Sequence, residues 1–164
     1  MRWLAIALLS AATTTARADD AIVASAGEPP PPRHLVYVEA LGKGGLYGIG
    51  YEYAMTERLG VGAATSYSNL SEHQVFTMSP YLHAQIFNRG RHSLFAEVGG
   101  ILAYSRIASP VENWDGMSEW GGGGFATLGW QYVRGPIVLR TSVGVAVGEG
   151  GGAPMTGIAF GVRP

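Results

Sequence analysis

Leu46-Tyr-Gly-Ile-Gly-Tyr-Glu-Tyr53 decides how this chain folds. Tyr47, Ile49, Tyr51 and Tyr53 fall on one face, and Gly48, Gly50 and Glu52 on the other, because successive side chains of a strand point to opposite sides of the sheet. In a water-soluble sheet the apolar face turns to the core. The opposite face would then meet water with glycine, serine and alanine and few charges, which makes a poor solvent surface. A closed barrel in a bilayer reverses the assignment, with apolar residues toward lipid and small or polar ones toward the lumen.

The same alternation recurs along the chain, and it predicts eight strands: His34–Leu41, Leu46–Ala54, Leu59–Ser68, Val75–Phe87, Ser93–Arg106, Ser118–Tyr132, Ile137–Gly148 and Pro154–Val162. Each is near the ~9–11 residues that a tilted membrane strand needs. Nearly every connection carries glycine, asparagine or charge. The fold expected is all-β: a single eight-stranded antiparallel up-and-down transmembrane β-barrel over 33–164, with both termini on the periplasmic side. The connection Ile107–Met117 is then the longest extracellular loop. Pro80, inside the fourth strand, is expected to mark a bulge, because it has no N–H for the ladder.

Aromatic placement sharpens the reading. Tyr47, Tyr67, Tyr104 and Trp120 fall at the extracellular ends of the lipid face, and Tyr53, Trp130 and Tyr132 at its periplasmic ends. Two aromatic belts around an aliphatic band suit the two headgroup levels of a bilayer. A lipocalin-like soluble barrel is the alternative, and it requires this aromatic face turned inward.

Composition fits. Hydrophobic residues are 47% and charged residues 14%, yet no later apolar run is long enough for a transmembrane helix. Residues 1–18 read as a cleaved signal peptide: Arg2, an apolar run to Leu9, then Ala16-Arg-Ala18. An N-terminal core helix is the other reading. Residues 19–32, ending in four prolines, read as a flexible periplasmic lead-in. Loss of Arg2 and Arg17 takes the formal net charge from −1 to −3, so nucleic acid is not an expected partner. Cysteine is absent, and a barrel closed by its own hydrogen bonds needs no disulfide staple.

Alternation turns Glu39, Glu52, His83, Gln85, Glu97 and Arg140 into the lumen, with Tyr37, Tyr81 and Gln131. Eight strands enclose a bore that side chains fill, and buried charges there must be paired. The reading is a polar plug with Arg140 shared among the three glutamates; a path for protons or small solutes is the alternative. The histidines at 34, 73, 83 and 92 lack metal-ligand spacing, and the glycine runs lack the lysine and helix of a phosphate loop. No metal, cofactor or catalytic residue is expected. The loop residues Glu72, Glu112, Asp115, Glu119 and Glu149, against Lys43 and Arg106, form an acidic outer rim, with Trp114 and Asp115 as partner contacts; Arg58, Arg89, Arg91 and Arg134 gather in the periplasmic turns.

The chain resembles the small outer-membrane β-barrel proteins of Gram-negative bacteria, and among them an uncharacterised eight-stranded, porin-like family. The resemblance covers roughly 33–162 and rests on Gly48-Ile-Gly-Tyr-Glu-Tyr53 with Thr56-Glu-Arg-Leu59, Arg91-His-Ser-Leu-Phe-Ala-Glu-Val-Gly99, Thr127-Leu-Gly-Trp-Gln-Tyr132 and Gly157-Ile-Ala-Phe-Gly-Val162. These motifs mark fold more than activity. The resemblance implies export to the cell outer membrane, a monomer among lipid and lipopolysaccharide, and a structural or loop-mediated role without catalysis. It departs at the end, where such barrels commonly finish on an aromatic residue; here Val162-Arg-Pro164 follows Phe160. Some small barrels modify lipid A. Ser71-Glu72-His73 holds the residue types of a triad for such an enzyme, but consecutive residues rarely face one another, and the histidine-x-serine-asparagine signature of the deacylases is missing.

Overall fold

In a computed structural model, which describes residues 33–43, 45–70, 73–107 and 117–164, the alternating segments pair in chain order and the last returns to the first. The strands are β1 (His34–Gly42), β2 (Gly45–Ala54), β3 (Leu59–Leu70), β4 (His73–Arg89), β5 (His92–Ile107), β6 (Met117–Arg134), β7 (Ile137–Gly148) and β8 (Gly151–Val162). All neighbours are antiparallel, and β1 closes on β8 through Val36↔Val162 to Ala40↔Ile158. This is the eight-stranded up-and-down barrel that the alternation predicts. The expected leader and lead-in, residues 1–32, lie outside the described residues, as do Ser71, Glu72, Glu112, Trp114 and Asp115.

The period-two pattern appears directly in burial. Along β1, Leu35, Tyr37 and Glu39 are buried while Val36, Val38 and Ala40 are exposed. The exterior is a continuous apolar surface that includes Ile49, Leu82, Val98, Leu128, Val143 and Ile158. The lipocalin-like alternative needs Tyr47, Tyr51 and Tyr67 inside, and all three face outward.

Register sets the aromatics at two levels of this exterior. Tyr67 pairs with Phe76, Phe76 with Tyr104 and Tyr104 with Trp120, a row across β3 to β6 on the side away from the termini. On the termini side, Tyr53 pairs with His34, and Tyr132 with His92.

Pro80 makes no bulge. β4 pairs with β3 without interruption through Ala63↔Pro80, and its ladder to β5 merely skips Ser79 and Pro80 while keeping register. The missing N–H therefore opens the ladder without an inserted residue. The bulge lies lower, between Gln85 and Phe87, and it leaves both Ile86 and Phe87 facing out.

Glycine makes room for the interior rings. Tyr37 pairs with Gly50 and Phe95 with Gly129, and a Cβ at either glycine would run into the facing ring. Gly129→Val is therefore expected to cost about 1–3 kcal/mol by overpacking. Gly121→Ala, in open space, is expected to change stability by less than about 0.5 kcal/mol. Urea unfolding of both variants in lipid vesicles checks the contrast.

Candidate functional site: the polar column inside the barrel

Inward parity concentrates polar residues that no solvent reaches. Glu39, Glu52, His83, Glu97, Gln131 and Arg140 are all buried. An isolated charge in such a place is strongly unfavourable unless paired and hydrogen-bonded.

Arg140 on β7 reaches across to Glu52 on β2 as a two-pronged fork, Nη1 to Oε2 at 2.7 Å and Nη2 to Oε1 at 2.8 Å. Its Nε donates to Gln131 Oε1 at 2.6 Å, and Gln131 Nε2 donates to Ser93 Oγ at 3.3 Å. Charge-assisted, bidentate bonding of this kind is the strong form of the guanidinium–carboxylate contact. His83 Nδ1 stands 3.2 Å from Glu97 Oε1 and 3.6 Å from Glu52 Oε2, joining the two carboxylates. Tyr37 donates to Tyr81, which donates to Glu52.

Lys43 is the residue that alternation misplaces. As a turn residue it is expected on the outer rim. Instead the β1–β2 turn folds into the bore, and Lys43 Nζ bonds Glu97 Oε2 at 2.7 Å and Glu39 Oε1 at 3.3 Å. Its own carbonyl accepts from Ser79 Oγ on β4 at 2.8 Å. The ammonium also lies over the Tyr81 ring, 4.7 Å from its centre. Burial alone would lower the pKa of Lys43, but Glu97, then Tyr37 and Glu39, outweigh it and raise it above the ordinary lysine value. Leu41 adopts a left-handed φ of 59° and Gly45 one of 103°, the backbone conformations that turn the chain inward.

Two further corrections follow. Arg140 is not shared among three glutamates: it holds Glu52, comes within 3.6 Å of Glu97, and leaves Glu39 to Lys43. Gln85 joins no side-chain bond of the column among the described residues; half-buried, it lines a cavity at the termini end. One oxygen of Glu39, Oε2, has no hydrogen-bond partner among the described residues.

Glu52, His83 and Glu97 also bring one potential ligand atom each to within 4.8 Å of one another, though they come from β2, β4 and β5 and share no sequence spacing. Arg140 occupies both Glu52 oxygens and Lys43 one of Glu97, so these carboxylates already have cationic partners.

A signal in the sequence marks this arrangement, and alternation alone does not use it. Arg33-His-Leu-Val-Tyr-Val-Glu39 opens the barrel and Arg91-His-Ser-Leu-Phe-Ala-Glu97 opens β5; their partner strands carry Gly50-Tyr-Glu-Tyr53 and Gly129-Trp-Gln-Tyr132. The two halves thus supply equivalent pairs, Glu39 with Glu97 and Glu52 with Gln131. Each cation bridges one pair: Lys43 the two glutamates, Arg140 the Glu52–Gln131 pair.

The N-terminal β-barrel domain of Pseudomonas aeruginosa OprF superposes with a TM-score of 0.61 at 15% identity, over 81% of this chain and 98% of that one. Ail, the attachment invasion locus protein of Yersinia pestis, superposes with a TM-score of 0.50 at 13% identity, over 80% and 93%. Ail in complex with the heparin analogue sucrose octasulfate matches equally well. The fold is that of the small outer-membrane barrels. No protein-family profile and no curated protein matches the chain. At these identities the likeness is one of fold, and the interior column of this barrel is described from its own residues.

Proposed function

We propose that this outer-membrane-type barrel resides in the bacterial outer membrane, reached through a cleaved signal peptide, and serves a structural or loop-mediated interaction role without catalysis. The observation that carries this is the contrast between inside and outside. A polar column bonds the bore from Lys43 to Ser93, while the exterior is apolar between two aromatic levels. Tyr47, Tyr67, Tyr104 and Trp120 sit at one headgroup level of the bilayer, and Tyr53, Trp130 and Tyr132 at the other. In this reading the column of Glu39, Glu52, Glu97, His83, Lys43 and Arg140 is a plug, the barrel is a monomer, and its outer rim meets lipopolysaccharide. Glu119 and Glu149 are exposed at that rim. The attachment role for which Ail is named supports loop-mediated interaction by fold-level analogy only.

A narrow path for protons or small solutes is the second reading, favoured by Glu39 Oε2, which has no hydrogen-bond partner among the described residues.

The deciding experiment separates outer-membrane from periplasmic fractions and runs both, boiled and unboiled, on mild-detergent gels. A membrane-fraction band that shifts on boiling is expected; a soluble periplasmic band overturns the placement. In planar bilayers the plugged barrel is expected to show no resolved conductance steps at neutral pH. Regular steps in the wild-type protein would favour the path over the plug.

A further inference from the structure

The end of the barrel that carries the termini is strongly basic. Arg33, Arg58, Arg89, Arg91, Arg134 and Arg163 lie there at strand ends and on the adjoining segments, with Glu57 the acid among the described residues of these segments. Within this end the bore opens into a cavity of about 640 Å³, a size that suits a small-molecule site. Arg33, Arg91 and Arg163 line it against the single carboxylate of Glu57. Gln85 and Asn88 add neutral donors to the wall, and the hydrogen-bonded Ser93–Gln131 pair lines it beside the ion-pair column.

Two features separate this cavity from an ordinary solvated basic rim. Among the described residues none of its three arginines forms an ion pair, whereas both cations deeper in the bore are fully paired. Arg163 is partly buried there, and burial, with Arg140 beyond it, lowers its pKa, so an anion at this point would relieve an existing cost. Second, Arg33 and Arg91 are the equivalent first residues of the two repeated segments. Both line the cavity, from the starts of β1 and β5, four places apart in a closed ring of eight and therefore on opposite sides; Arg33 Nη1 also lies 3.5 Å from the Tyr53 hydroxyl, a weak neutral contact that an anion can outcompete. Opposed guanidinium forks suit a ligand with oxygens on more than one side, which phosphate groups provide.

We propose that this cavity binds a small polyanion of the phosphate class, held between Arg33, Arg91 and Arg163. The site is independent of whether the bore conducts and of what the far loops contact.

The test titrates inorganic pyrophosphate by calorimetry into the full mature chain, refolded in a zwitterionic detergent. Saturable binding of one equivalent is expected, weakened about tenfold or more in R91Q/R163Q, because each lost fork removes a charge-assisted bond. Arg134 lies on the basic end but does not line the cavity, so R134Q is expected to stay within about twofold, as a surface charge in high dielectric should. R33Q is the second variant, should the double substitution lose its heat-modifiable mobility. Absence of saturable binding overturns the proposal, and so does an R134Q loss as large as that of the cavity variants. Phosphatidylglycerol doped into the micelles distinguishes the source. Competition with pyrophosphate assigns the site to lipid headgroup phosphate, and lack of competition to a soluble phosphate compound.

Discussion

Arg140→Leu is expected to destabilise the barrel by about 3–5 kcal/mol, the usual cost of breaking a buried ion pair by removing one partner. The substitution takes away both bonds to Glu52 and the bond to Gln131, and it leaves the Glu52 carboxylate buried beside Glu97 with His83 and Tyr81 as its remaining partners among the described residues. Urea unfolding in phosphatidylcholine vesicles, followed by tryptophan fluorescence, reads the change. The diagnostic comparison is the double variant Glu52→Gln/Arg140→Leu, which no longer buries an unpaired charge at that level. It should recover more than half of the loss. If the single variant costs less than about 1 kcal/mol, the fork does not hold the interior as described.

Lys43→Met should have a comparable effect for a different reason. It leaves Glu39 and Glu97 facing the bore with their shared cation gone, while the bond from Ser79 Oγ to the backbone carbonyl of residue 43 remains to hold the turn. A loss of about 3–5 kcal/mol is again expected. The pH dependence gives a second readout. Because the folded barrel raises the lysine pKa above its ordinary 10.5, the stabilisation is complete below that pH and is lost as pH rises through the folded-state value. The stability difference between wild type and Lys43→Met should therefore stay constant from pH 7 to about pH 10 and shrink only in stronger alkali. A difference that already decays near neutrality would show that Lys43 is not held by carboxylates. Planar-bilayer recordings of the same variant test whether the Lys43 side chain helps close the bore, with conductance steps expected on its loss.

How these residues relate to the sequence depends on what alternation can express. A period of two assigns a face, so the outward apolar set follows from parity, and the two aromatic levels follow once each ring's place near a strand end is added. Parity says nothing about height or partner. Glu39, Glu52 and Glu97 share an inward parity, yet which cation serves which depends on strand tilt and on the short β1–β2 hairpin, 9 and 10 residues against 17 and 16 in β4 and β5. Lys43 is missed because a turn residue has no parity. Pro80 is misread because a missing donor can be met by skipping ladder bonds as well as by inserting a residue. The Arg-His…Glu repeat was present in the chain throughout, but a repeat becomes informative about chemistry only when the bridging groups between its copies are known.

Those bridging groups also bear on how the barrel can form. Lys43 and Arg140 occur once each, in opposite halves, and their repeat-equivalent positions hold Ile101 and Gly62. Each bonds residues of the other half, across 54 positions to Glu97 and 88 to Glu52. The first four strands alone therefore pair Lys43 with Glu39 but leave Glu52 without its guanidinium, and a second copy of that half, with Gly62 in the place of Arg140, could not supply it. Each half thus carries the cation that a glutamate of the other half bonds, and joining the halves completes the pairing of the interior.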